Sequence, residues 1–150
     1  MSRPEFDKND PQWQMVYDLE KQLDGIHQKT RTSRQYLRDV ATAVCTKADI
    51  PQVTVVFKQL PGDDLGDCAL GVVRLNTRAN CHGVSLYVLL HELSHAICDD
   101  YYEMVQSHGP EFCAIFRSLL HGYKIFPKAC FDVLARQGRV KVQRIEYDFV

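Results

Sequence analysis

His91, Glu92 and His95 carry the chemistry this sequence offers. They form a His-Glu-x-x-His pattern inside the apolar run Leu89-Leu90-His91-Glu92-Leu93-Ser94-His95-Ala96-Ile97. On an α-helix, four residues advance the chain by one turn plus about 40° and rise about 6 Å, so His91 and His95 leave one face and can share a metal ion. Zinc accepts two such neutral imidazoles at roughly 2.0–2.1 Å and keeps a position for water. A carboxylate one step around the helix, here Glu92, can take that water's proton. The plainer alternative is a buried helix whose histidines bond only to backbone. Such a helix, apolar nearly all round, would hold two imidazoles and a carboxylate at a cost unless a metal or specific partners satisfied them.

A third ligand decides the matter, and several residues downstream have suitable chemistry. The metzincin pattern places a third histidine six residues after the second; that position is Tyr101, and Cys98 stands where the pattern has glycine, so this subclass is excluded. Asp99, four residues after His95, could bind the metal or orient His95. Glu103 and Glu111 could complete a site of two histidines and a carboxylate. His108 stands just ahead of Gly109-Pro110, where Pro110 suits the first turn of a new helix and Gly109 permits close approach.

The elements that must position these residues follow from periodicity. The motif helix is expected over 84/85–98. A first helix is predicted over 11–23, capped by Asp10, with an apolar face of Trp13, Val16, Tyr17, Leu19 and Leu23, and ended by Gly25. A second, over 32/33–47, buries Tyr36, Leu37, Val40, Ala41 and Val44 and leaves Arg34 and Arg38 outside. The β-branched run at 53–57 reads as a strand, 61–67 as an acidic surface turn, and 69–75 as a second strand whose edge could receive an extended peptide. His82 falls in the connection to the motif helix and reads as a loop residue. After His108, the stripe Phe112, Ile115, Phe116, Leu119 and Leu120 predicts a helix closed by Gly122. A short helix over 127–137, ended by Gly138, and a terminal strand with a bulge near Gln143-Arg144 complete the chain.

With 150 residues, 45% of them hydrophobic and 25% charged, the chain has the composition of one soluble domain. The first ten residues lack the apolar core of a secretory leader and no run reaches membrane-spanning length, so a cytoplasmic location, or a nuclear one in a eukaryote, is expected and no membrane partner. The six cysteines show no Cys-x-x-Cys pair, which excludes a zinc ribbon and leaves scattered reduced thiols as the expectation. Net charge is −1, with no global attraction to nucleic acid. The distribution is uneven, however: residues 59–103, which hold the motif, are acidic and both flanks are basic. Arg31, Arg34 and Arg38, joined by Arg136, Arg139, Lys141 and Arg144 if the fold gathers them, could form a phosphate-binding patch, although solvated surface charge is the simpler reading.

The run Val88-Leu89-Leu90-His91-Glu92-Leu93-Ser94-His95-Ala96, followed by His108-Gly109-Pro110-Glu111-Phe112-Cys113, resembles the SprT-like family, the Spartan-type metalloproteases. The upstream Cys68-Ala69-Leu70-Gly71-Val72-Val73-Arg74-Leu75-Asn76 is similar to the strand preceding the zinc helix in that family. The resemblance covers about 36–122. It implies an α+β fold, a single compact zincin-like domain spanning 1–150 in which the motif helix packs on a small sheet with flanking helices. Residues 1–30 would then be a helical extension and 123–150 a C-terminal helix and strand without the family's frequent zinc ribbon. It implies Zn²⁺ on His91, His95 and His108, Glu92 as catalytic base, and hydrolysis of protein or peptide substrates. DNA enters as a partner through the family's degradation of DNA-crosslinked proteins, although the absence of paired cysteines departs from relatives that carry a ribbon. Tyr101, Tyr102, Tyr123 and His121 are candidates to stabilise an oxyanion. A nucleic-acid-associated module and a structural zinc domain are the competing classes.

Overall fold

The computed structural model describes residues 12–22, 25–78, 82–103, 105 and 107–149. The chain is an α+β domain. Its elements are α1 (Trp13–Gln22), the single turn α2 (Ile26–Lys29), α3 (Arg34–Ala48), β1 (Thr54–Lys58), β2 (Gly66–Ala69), β3 (Val72–Asn76), α4 (Leu86–Tyr101), α5 (Pro110–Gly122) and α6 (Lys128–Gln137). The expected cap Asp10, Pro11 and Leu23 lie outside the described residues, as do the side chains of Trp13 and Tyr17.

α4 is the element around which the others pack. Ser85 caps it, its hydroxyl accepting from the Val88 N–H at 3.3 Å, and ten of its side chains are buried. α3, α5, β2 and β3 all pack against it. The buried stripe Leu37, Val40, Ala41 and Val44 seats α3, whose cap is Ser33. Phe112, Ile115, Phe116, Leu119 and Leu120 seat α5, with Pro110 in the first turn.

Several expectations are corrected. The apolar run at 69–75 is not one strand but the turn and arms of a hairpin: β2 ends at Ala69, Leu70 (φ 50°) and Gly71 (φ 76°) make the turn, and β3 begins at Val72. Leu70 is fully exposed at the tip, so its hydrophobicity disguises a two-residue turn that needs positive φ at both positions. β2 also takes up Gly66 and Asp67 from the stretch expected to be only a surface turn. The sheet order is β1-β3-β2, with β1 parallel and β2 antiparallel to β3. β3 is therefore central and cannot accept another strand; the free edge nearest α4 is β2. α4 runs three residues beyond its expected end at Cys98, because Tyr101 reaches back to donate to the Ala48 carbonyl at 2.5 Å. Tyr36 is 44% exposed rather than buried, since it faces an open groove beside Tyr123.

The predicted terminal strand does not form. Residues 139–149 run without ladder partners, yet they are anchored: Val140 and Phe149 are buried, and the Gln143 N–H donates to the Pro110 carbonyl at 3.0 Å. Arg117 holds Asp132 in a two-pronged pair at 2.8 and 2.9 Å and also reaches Glu146, which Lys128 contacts as well. None of the described cysteines is in a disulfide. No described helix is long and apolar enough to cross a membrane.

The loop before β2 is fastened from beneath. Asn76, 1% exposed, accepts from the Leu60 and Arg78 N–H groups at 3.2 and 2.9 Å and donates to the Asp64 carbonyl. Gly83 lies so close that a Cβ there would sit 2.5 Å from the carbonyl oxygens of both Asn76 and Leu65. Gly66 is similarly tight, with the Arg74 carbonyl oxygen at 2.8 Å and a Val88 methyl at 3.0 Å from an added Cβ. These contacts press β2 onto α4 and fix one wall of the cleft described next.

Candidate metal centre

His91 and His95 project from consecutive turns of α4, and His108 faces them from the connection to α5. One ligand atom from each lies within 4.8 Å of the others. The Nε2 atoms of His91 and His95 are 3.2 Å apart. Two nitrogens sharing a tetrahedral ion at roughly 2.0–2.1 Å each would be separated by about 3.3–3.4 Å, so this pair already has the spacing of co-ligands. Three imidazoles form a borderline donor set that suits zinc and other divalent transition metals. The three rings could therefore hold one metal ion.

Phe112 is the common floor. Its ring is fully buried and stacks on His95 at 4.4 Å between centroids, with His91 at 5.1 Å and His108 at 5.0 Å. Phe116 adds an edge contact to His91 at 5.3 Å. Placed by sequence only in the apolar stripe of α5, Phe112 touches all three candidate ligands. Gly109, in extended backbone, caps α5 and lets the chain turn immediately after His108.

Glu92 is 6% exposed, with one carboxylate oxygen 3.9 Å from His91 Nε2. Burial pushes its pKa up to about 7, His91 pulls against that, and the acidic Glu20, Asp67 and Asp64 add to the rise. Burial draws His91 downward, but the charge and hydrogen bond of Glu20, with Glu92, outweigh it and bring His91 up to about 9. His95 is held well below the ordinary histidine value by burial and then by the charges of His91 and His108. Three ionisable groups with divergent affinities for protons in one cleft make it a candidate functional site.

The cleft has a volume of about 430 Å³. α1 lines it through Val16 and Glu20, and the stretch 64–68, which runs from the preceding loop into β2, lines it as well; His91, Glu92 and His95 line it from α4, and Ser107 and His108 from the connection to α5. Burial, with Glu92 and Asp99 nearby, pushes Cys68 up to about 12, so it lines the wall as a neutral thiol.

The other candidates fall elsewhere. Asp99 is exposed at the lip of the cleft, and neither it, Glu103 nor Glu111 joins the described cluster of three ligand atoms. None of the proposed oxyanion partners lines the cleft: Tyr101 is engaged by Ala48, Tyr102 bonds Tyr147 and Gln143, His121 Nδ1 accepts from the Lys128 N–H at 3.2 Å, and Tyr123 faces a groove near α2. Arg34 and Arg38 stack over the Phe57 ring at 5.2 and 4.8 Å, whereas Arg31 lines the groove near α2.

Sequence reasoning missed Glu20, whose carboxylate is 2.9 Å from His91 Nδ1. Its only signal was an acid interrupting the apolar face of α1. Comparison of the chain with protein-family models, with curated proteins and with solved structures returns no match.

Proposed function

We propose that this protein is a zinc-dependent endopeptidase of the SprT-like, zincin type, with His91, His95 and His108 as ligands and Glu92 as general base. The observation that carries the reading is the convergence of three imidazoles beside a buried carboxylate on the floor of an open cleft. A structural zinc site has closed coordination and no use for Glu92, whereas this arrangement leaves one side facing the cleft. When bound, zinc supplies Lewis acidity toward a carbonyl and acidifies a coordinated water toward a pKa of about 7. Glu92, 3.9 Å from His91 Nε2, would be the group to accept that proton and to return it to the departing amine. Among the described residues β2, Gly66–Ala69, pairs with β3 alone, and its Gly66 to Cys68 line the cleft; an extended peptide adding to that edge would be held through its backbone with little demand on its sequence. DNA-associated or DNA-crosslinked proteins are the substrate class that the family resemblance suggests.

The purified chain is expected to bind one equivalent of zinc and to cleave a denatured protein substrate. Chelation should abolish cleavage and zinc should restore it. Full cleavage by protein shown by elemental analysis to lack transition metal would sink the reading.

One observation favours an added nucleic-acid contact. Lys29, Arg31 and Lys124 line an open groove with Tyr36 and Tyr123, which pairs phosphate-binding charge with stacking surfaces for unpaired bases. Replacing Lys29 and Lys124 by Glu is expected to weaken single-stranded DNA binding about tenfold at low salt and to flatten its salt dependence. Replacing Arg34 and Arg38, already engaged on Phe57, should matter less. Fluorescence anisotropy with a labelled oligonucleotide checks this, and no binding even at low salt removes the contact.

A further inference from the structure

Two polar side chains, one just ahead of α1 and one near its end, both lead to candidate metal ligands. Gln12, Val16, Leu19 and Glu20 follow the spacing i, i+4, i+7, i+8, which places them on one side of a helix. Val16 and Leu19 are each 2% exposed and serve the core. Gln12, just ahead of α1 and 4% exposed, and Glu20, near its end, are the polar exceptions. Eight residues of helix separate them by about 12 Å, enough to address two ends of one site.

Each has a defined target. One Glu20 carboxylate oxygen lies 2.9 Å from His91 Nδ1, on the opposite side of the ring from the Nε2 that faces His95. An imidazole that donates its Nδ1–H to a carboxylate is fixed in tautomer and orientation, with the lone pair on Nε2 and with greater basicity there. Gln12 grips the other end. Its Nε2 donates to the His108 carbonyl at 3.0 Å and to the Lys141 carbonyl at 3.0 Å, while its Oε1 accepts from the Lys141 N–H at 2.7 Å. It also contacts Cys113 Sγ at 3.6 Å. One amide thus ties together the segment bearing His108, the first turns of α5 and the C-terminal segment. Of the three ligands, His95 alone is held by α4 and Phe112 without help from this helix.

We infer that the N-terminal helix is the outer shell of the metal centre, with Glu20 the positioning residue for His91 and Gln12 the positioning residue for His108. This rests on the metal-site reading and not on peptide hydrolysis. Because ligand orientation and helix docking share the same bonds, metal binding and docking of α1 stabilise each other by the same factor. Residues at the start of the chain, far in sequence from the His-Glu-x-x-His motif, therefore set how tightly metal is held.

The test measures metal rather than turnover. Zinc affinity is determined by competition with a chromophoric chelator, and Co²⁺ loading by the visible absorption of the cobalt site, for full-length wild type, Glu20→Ala, Glu20→Gln, Gln12→Ala and Leu19→Ala. Glu20→Ala is expected to weaken zinc binding by about 10–100-fold and to alter the cobalt spectrum. Glu20→Gln can still accept from Nδ1–H without the charge, so it should recover part of that affinity. Gln12→Ala should raise the rate of metal loss to chelator. Leu19→Ala, equally buried but without a ligand to hold, should lower thermal stability and leave the cobalt spectrum of the folded protein as in wild type. Folded Glu20→Ala protein with wild-type affinity and spectrum would overturn the role of α1 alone. A wild-type chain that takes up neither metal would overturn the metal-site reading along with it.

Discussion

Glu92→Gln is expected to lower peptide hydrolysis by about 10²–10⁴-fold while the chain stays folded and keeps its zinc, since removing a positioned general base has that effect and the amide matches the carboxylate in size. Metal retention follows because Glu92 is beside the ligands rather than among them, its nearest approach being 3.9 Å from His91 Nε2. Stability should move the opposite way to activity. Burial raises the Glu92 pKa to about 7, so its charged form is disfavoured in the folded chain relative to the unfolded one, and its contribution to stability is lost as pH rises through that value. An uncharged amide escapes that loss. Above about pH 7, with both proteins stripped of metal, Glu92→Gln should therefore melt at or above the wild-type temperature. A variant that cleaves a denatured substrate as fast as wild type removes Glu92 from the chemistry. One that sheds its zinc would show instead that the carboxylate holds the site together.

That trade between charge burial and function bears on what the sequence made legible. His91, Glu92 and His95 could be read because their relation is local: one helix, one period, three positions. His108 was legible only as one candidate beside Asp99, Glu103 and Glu111, because Gly109-Pro110 announces a helix start and places the histidine at its mouth; the choice among them came from the family resemblance. α3 and α5 followed from stripes of the same period and from Ser33 and Pro110 at their starts, and α6 from its bounds at Pro127 and Gly138. The hairpin was hidden because the apolar run continues through Leu70, whose exposure only the turn geometry requires. The order β1-β3-β2 was hidden because strand order is a long-range property, and with it went the identity of the edge that borders the cleft. The C-terminal segment alternates like a strand but finds no partner strand; it is held instead by side chains from elsewhere, Gln12 among them across 129 residues. Glu20 and Gln12 have no spacing relation to the ligands they touch, so no motif could reveal them. Phe112 was visible as core and is core, yet its position beneath three imidazoles is information that only the crossing of α4 and α5 supplies.

The same distinction between local and long-range placement determines what loss of the third ligand should do. His108→Ala is expected to weaken zinc binding by at least about 10²-fold. Four-ligand protein zinc sites bind with roughly 10–16 kcal/mol, so one ligand accounts for about 3 kcal/mol, and every 1.4 kcal/mol is tenfold. The pair His91 and His95 remains, one turn apart on α4, and retains weak affinity. Fold stability without metal should change little, because His108 is half-buried at the end of a loop while the start of α5 is fixed by Pro110 and by buried Phe112. Phe112→Ala makes the contrasting case: emptying a fully buried ring site should cost about 3–5 kcal/mol of stability whether or not metal is present. Melting curves with and without added zinc separate the two. Wild type should gain stability with zinc in proportion to the logarithm of its concentration over the dissociation constant, His108→Ala should lose most of that gain, and Phe112→Ala should start lower. If His108→Ala keeps the full zinc-dependent rise, the third ligand is a carboxylate, and Asp99 at the cleft lip, four residues after His95, becomes the first to replace.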